Sequence, residues 1–375
     1  MHKNFQTFLL EREMGRWEHE VEYNLSESGV HPMSTRELLE GDARSIDEIL
    51  DAELNYPPTS GLPELRSAIA GTYPGARADD VIVTTGAAQA NFTTVLTMLD
   101  PGDEIVVMVP NYMQIWGIAK NLGLKVKTFS LKHELGWGFD IDAFNALVTD
   151  KTKLIAVCNP NNPTGHIMTA AERDAVLKAA AKVGAWILSD EVYAGAEHNT
   201  DEVTPSMYGE YERVFAIGSM SKAYALPGLR IGWVVSNPEK VEAIWSRQDY
   251  VTICPSLLGN KLAAYALSPQ VRKRILERTR KFLRNGYAVL DEWVQEHSQV
   301  LSVVPPQAAA ISFVHYNVDI PSADLVDRLR KEQSTYVVPG INFGMDNYLR
   351  ISYGLSDSYV REGLRRVIET IIASA

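Results

Sequence analysis

Cysteine is almost absent from this chain. Cys158 and Cys254 are its two cysteines in 375 residues, far apart, with no CxxC pair and no Cys/His cluster. Neither a disulfide framework nor a structural zinc site has support, and no metal is expected. Positive charge is also in deficit, with 36 Lys and Arg against 47 Asp and Glu and a formal net charge of −11. Neutralising phosphates needs a basic face, so nucleic acid is not an expected partner. No apolar run approaches the roughly 20 residues of a membrane helix. The N-terminal stretch soon turns acidic at Glu11, Glu13, Glu18, Glu20 and Glu22, unlike a secretory signal. These absences make a cytoplasmic protein without a membrane partner the expectation. What remains is ordinary for a globular chain, 46% hydrophobic and 22% charged, and long enough for two or three domains.

The middle of the chain alternates short apolar runs with helical patterns. The runs are 81–83, 104–109, 154–157, 186–188, 214–217 and 231–235, each bounded by Gly, Pro, Asn or Asp. Between them, Ala170–Val183 reads as a helix opened by Thr169 with Glu172 three residues on. Strand–helix alternation predicts an α/β fold, a three-layer α/β/α domain around a mostly parallel sheet. The C-terminal part differs. It reads as a long helix over 268–296 with Arg272, Lys273, Arg274, Glu277 and Arg280 on its wet face, then short strands and a final helix. We therefore expect an N-terminal segment at 1–48 that packs with the small domain and covers the active site. A large domain at 49–270 and a smaller α+β domain at 271–375 would follow it.

In open α/β sheets, ligands bind beyond the carboxyl ends of the strands, so the polar residues after each run are informative. Gly86-Ala87-Ala88 opens a helix with small residues whose N–H groups can reach an anion; a tight strand–helix turn would look the same. Asn162 lies in a loop stiffened by Pro160 and Pro163, able to donate and accept hydrogen bonds. Asp190 ends a buried run, where a carboxylate needs a cation or good donors, and Tyr193 follows three residues on; capping a helix is the plainer role for Asp190. Lys222 follows another run, next to Ser219 and before Arg230, among small and aromatic residues where desolvation favours a neutral amine. One ligand would use all of these groups: a phosphorylated pyridine aldehyde, joined to Lys222 as a Schiff base, with Asp190 on its ring nitrogen.

The sequences Asn161-Asn162-Pro163-Thr164-Gly165, Ser189-Asp190-Glu191-Val192-Tyr193 and Ser219-x-Ser221-Lys222…Gly228-x-Arg230, in this order, resemble fold-type I pyridoxal-phosphate enzymes of the class I/II aminotransferase superfamily. That resemblance covers nearly the whole chain and implies pyridoxal 5'-phosphate as cofactor. By the same resemblance Lys222 would hold the cofactor and carry the Cα proton, while Asn162 and Tyr193 bond the ring hydroxyl. Gly86, Ala87, Ala88, Ser219 and Arg230 would hold the phosphate, and Tyr112 would stack on the ring. Tyr56 matches a tyrosine that reaches the phosphate in the neighbouring subunit, which implies a homodimer with shared sites. Arg350 matches the arginine that grips the substrate α-carboxylate, and its planar fork suits that task. The implied substrates are an α-amino acid and a 2-oxo acid.

The N-terminal stretch departs from the common pattern. Ser26-Glu27-Ser28-Gly29-Val30-His31 is similar to PLP enzymes of the capreomycidine synthase type, which act on arginine or hydroxyarginine side chains. That likeness implies cyclisation, elimination or oxidation as the alternative to amino transfer. A guanidinium substrate would want carboxylates, offered here by Glu11, Glu18 and Glu27, and His31 would be an acid or base, since histidine ionises near pH 6.5. An exposed acidic helix with a loop histidine is the plainer reading. A non-catalytic PLP-retaining protein is a third alternative.

Overall fold

The computed structural model describes residues 5–374. The N-terminal segment holds helix α1 (Leu9–Trp17) and the two-residue strand β1 (Tyr23–Asn24). An eight-stranded sheet follows, built from β2 (Val81–Thr84), β3 (Glu104–Val109), β4 (Lys125–Lys132), β5 (Gly138–Phe139), β6 (Thr152–Cys158), β7 (Trp186–Asp190), β8 (Val214–Ser219) and β9 (Gly232–Val235). Its order is β2-β9-β8-β7-β6-β3-β4-β5. The run β8-β7-β6-β3-β4 is parallel throughout, whereas β9 is antiparallel to both of its neighbours. The two reversals give β2 the same direction as β8. The carboxyl ends of β2, β3, β6, β7 and β8 therefore open on one edge.

Both faces of this sheet are dry. Along β6, Leu154 and Ala156 belong to one apolar cluster and Ile155 and Val157 to another. Successive strand side chains point to opposite faces, so two cores mean helices on both sides, which is why the strands read as unbroken apolar runs. The expected helix Ala170–Val183 forms, and Thr169 and Glu172 make a reciprocal capping box at its start.

The last third carries a second sheet, β10 (Leu301–Val303), β11 (Ile311–Tyr316), β13 (Val338–Pro339) and β14 (Tyr348–Ser352), antiparallel in the order β10-β11-β14-β13. Strand β12 (Thr335–Tyr336) pairs instead with β1 in parallel, tying the N-terminal segment to this part of the chain. The long helix runs from Pro269 to Glu296. Its wet face is narrower than the charge pattern suggests: Arg280 is buried, where it meets the buried Glu197 at 3.3 Å. No helix among the described residues is long and apolar enough to cross a membrane.

Candidate active site

Five strand ends meet at a cavity of about 290 Å³. Ala87 and Ala88 reach it from the helix after β2, Tyr112 from beyond β3, Cys158 and Asn162 from β6. Asp190 and Tyr193 come from β7, and Ser219, Lys222 and Arg230 from β8 and the loop after it. Sheet topology thus converges residues scattered over more than a hundred positions, because every loop on this edge follows a strand of the same direction.

One end of the cavity is shaped for an anion. The helix Gly86–Met98 begins there, and its first-turn N–H groups have no partner within the helix. Gly86 has φ +76°, and an added Cβ would stand 2.6 Å from Nη2 of Arg230. Glycine therefore lets the guanidinium lie directly over the helix start. Ser219 and Arg230 complete the cradle.

At the other end Asp190 is buried, and burial raises its carboxyl above the ordinary range. Asn91 Nδ2 donates to Oδ2 at 3.0 Å and the Val192 N–H to Oδ1 at 3.3 Å, and the Lys222 charge assists, yet among the described residues Asp190 has no ion pair. A buried carboxylate so placed calls for a protonated nitrogen. Together with the anion cradle and Lys222, the donor set fits a phosphorylated pyridine aldehyde. Cys158, silent in sequence, also lines the cavity, but burial and the nearby Asp190 push its thiol up, so it is held protonated.

The N-terminal segment lines the cavity through Glu11, Glu27 and Ser28. Ser28 Oγ accepts from the Tyr193 hydroxyl at 2.9 Å, and Glu27 lies 3.5 Å from Lys222 Nζ. Glu11 accepts from the Tyr112 hydroxyl at 2.5 Å. Arg350 lies fully buried behind Asn162, whose Oδ1 takes Nη1 at 3.1 Å, while Nη2 donates to the Ser26 carbonyl at 2.5 Å. Its Nε is without a partner among the described residues, and burial lowers the guanidinium from its ordinary range, so the site favours an anion.

Three of the residues singled out in the sequence stand elsewhere. His31 is exposed and stacks on Phe282 of the long helix, ring centroids 6.2 Å apart; its N–H donates to the Gly354 carbonyl and its carbonyl accepts from Arg278. These backbone anchors turn the ring away from the cavity, so an acid–base role has no geometric basis here. Glu18 does not line the cavity and pairs with His19 at 3.5 Å; burial and the charges of Glu27 and Glu11 raise its carboxyl. Tyr56 is 83% exposed, away from the cavity of its own chain. Conversely, sequence reasoning passed over Asn91, which holds Asp190, and gave Ser26 and Ser28 only as parts of a motif, with no role at the site. The signal for Asn91 was a second amide, two residues after Gln89, in a helix start of otherwise small residues.

Residues 43–367 match the family described as Aminotransferase class I and II. The chain belongs to this family. It is a PLP-dependent enzyme of the aminotransferase kind, and its cofactor is pyridoxal 5'-phosphate. Capreomycidine synthase from Streptomyces vinaceus is 28% identical over 354 residues, covering 93% of this chain and 89% of that protein. Aspartate aminotransferase from Streptomyces avermitilis is 28% identical over 336 residues, covering 83% and 80%. A PLP-dependent aminotransferase from Streptococcus suis superposes with a TM-score of 0.93 at 29% identity, covering 99% of each chain. The family match begins at residue 43, beyond the segment that places Glu11, Ser26, Glu27 and Ser28 around the site of this aminotransferase-family enzyme.

Proposed function

We propose that this enzyme moves the amino group of an α-amino acid with a cationic side chain to a 2-oxo acid, working as a homodimer. Asn162 carries the reading: it lines the cofactor cavity and its carbonyl oxygen holds Arg350. An amino acid whose carboxylate reached that guanidinium would enter the cavity that Lys222 lines. For this to occur the Ser26 carbonyl must give way on Arg350. Bound PLP acts as an electron sink for the bond broken at Cα. With the cofactor held there, Lys222 would move the Cα proton, Asp190 would keep the pyridine nitrogen protonated, and Tyr112 would pack against the cofactor. Glu11 and Glu27 on the cavity wall favour a cation over the acidic side chain of aspartate. Exposed Leu50, Leu54, Tyr56 and Val251 supply the apolar area from which a dimer contact is built.

A second reading is supported by the same carboxylates and by the likeness to capreomycidine synthase: cyclisation, elimination or oxidation of an arginine or hydroxyarginine side chain. Incubating the holoenzyme with single amino acids, with and without a 2-oxo acid, separates the two by mass spectrometry. The first reading expects a keto acid from arginine or lysine only when the 2-oxo acid is present. A cyclised or oxidised arginine with no amino transfer contradicts it in favour of the second. Retained cofactor with no turnover of any amino acid contradicts both.

A further inference from the structure

The segment around Glu27 stands outside the family match, yet it supplies the acid nearest to the reacting nitrogen. Glu27 Oε2 is 3.5 Å from Lys222 Nζ, with the two side chains 46% and 23% exposed. Asp190, another carboxylate of the cavity, accepts from Asn91 and the Val192 N–H. Glu11 is committed to the Tyr112 hydroxyl, and Glu18 lies off the cavity wall beside His19. Arg230 shares the cavity with Lys222, and Arg350, bonded to the Ser26 carbonyl, is a second cation acting on Glu27. The titratable Tyr193 hydroxyl donates to Ser28, and the Cys158 thiol donates to the Pro160 carbonyl. Glu27 is therefore the carboxylate left free to answer a charge on Nζ.

We propose that Glu27 is the counter-ion of the Lys222 nitrogen, holding the proton on that nitrogen while it is joined to the cofactor. The inference rests on the PLP-enzyme reading but not on the choice of amino acid. The acid has neighbours to balance it: the Lys222 charge, and Arg350 with it, keep the Glu27 carboxylate below its ordinary range against the cost of burial. With the cofactor bound, a proton held on Nζ would make the carbon joined to it more open to the substrate amine, and Lys222 would be released as a neutral amine while the charge passed to the substrate nitrogen. The stretch that carries this acid, Ser26-Glu27-Ser28-Gly29, precedes residue 43, where the family match begins.

The test is a pH titration of the visible absorbance of the holoenzyme, wild type against Glu27→Gln, which keeps the shape and removes the charge. An opposite charge at this distance shifts a titration by about 1–3 units, and partial exposure to water places the expected change near the lower end. The absorbance midpoint of Glu27→Gln should fall by about 1 unit. Glu27→Asp should restore part of that shift, and Glu18→Gln should move the midpoint much less. Thermal melts of each holoenzyme establish that the variants are folded. Equal midpoints for wild type and Glu27→Gln, with both proteins folded and coloured, overturn the counter-ion role and leave the PLP-enzyme reading intact. No visible band in the wild type overturns both.

Discussion

Glu191 follows Asp190 in sequence but serves the protein interior. Its Oε1 accepts from the Met207 N–H at 3.0 Å, and it is buried without an ion pair among the described residues. Burial pushes its carboxyl from 4.5 up to about 7, against the Met207 N–H and the nearby Ser206 hydroxyl. The folded protein therefore binds a proton that the unfolded chain has released between those two values. Its contribution to stability is complete below pH 4.5, declines as pH rises toward 7, and levels off above. The gap is worth about 3 kcal/mol. Glu191→Gln is neutral at every pH and lacks this loss. Urea unfolding should show the wild type losing about 3 kcal/mol relative to the variant between pH 4.5 and 8. Parallel curves would contradict the assignment. Neighbouring carboxylates thus have opposite tasks: Asp190 needs a cation from the cofactor, and Glu191 needs a proton.

Among the elements, the long helix Pro269–Glu296 is held against the small sheet by close approach at one point. A Cβ on Gly286 would lie 1.8 Å from the Tyr353 carbonyl oxygen, a backbone atom that cannot swing aside. Gly286→Ala must therefore part the helix from the strand end beside β14, which carries Arg350. Overpacking of this kind costs about 1–3 kcal/mol. We expect a lower melting temperature and a raised KM for the amino acid; an unchanged melting temperature would show that the contact is loose. This glycine sits mid-helix, where sequence alone suggests only lost propensity. The parallel strands, by contrast, were legible because two-sided burial leaves an unbroken apolar signature, as in Leu154–Val157. Asp190, Lys222 and Asn162 were legible for a related reason: polar residues directly after such runs have few structural explanations. The positions of His31 and Ser26 were not, since a long-range pairing of β1 with β12 and backbone bonds to Gly354 decide where that segment lies. Arg280 was misread because its partner Glu197 is 83 residues away.

For the molecule as a whole, the proposed homodimer follows from what one chain leaves uncovered. Leu54 is 79% exposed and Tyr56 83%, beside Cys254 and Leu257. Sedimentation equilibrium should return about twice the 41.7 kDa of the chain, and Tyr56→Phe should stay dimeric while losing PLP more readily on dialysis. A 41.7 kDa species that retains cofactor fully would contradict the shared site. The acidic excess of the chain also has a location at this scale: Glu11 and Glu27 belong to the N-terminal segment and line the cavity. The central claim is that Lys222 is the point of cofactor attachment for the whole assembly. It is tested most directly by reducing the PLP-loaded enzyme with borohydride and mapping the fixed pyridoxyl group by peptide mass spectrometry. The account predicts the label on Lys222 alone, and no label in Lys222→Ala. Label on another lysine, or a fixed label that survives in Lys222→Ala, would contradict it.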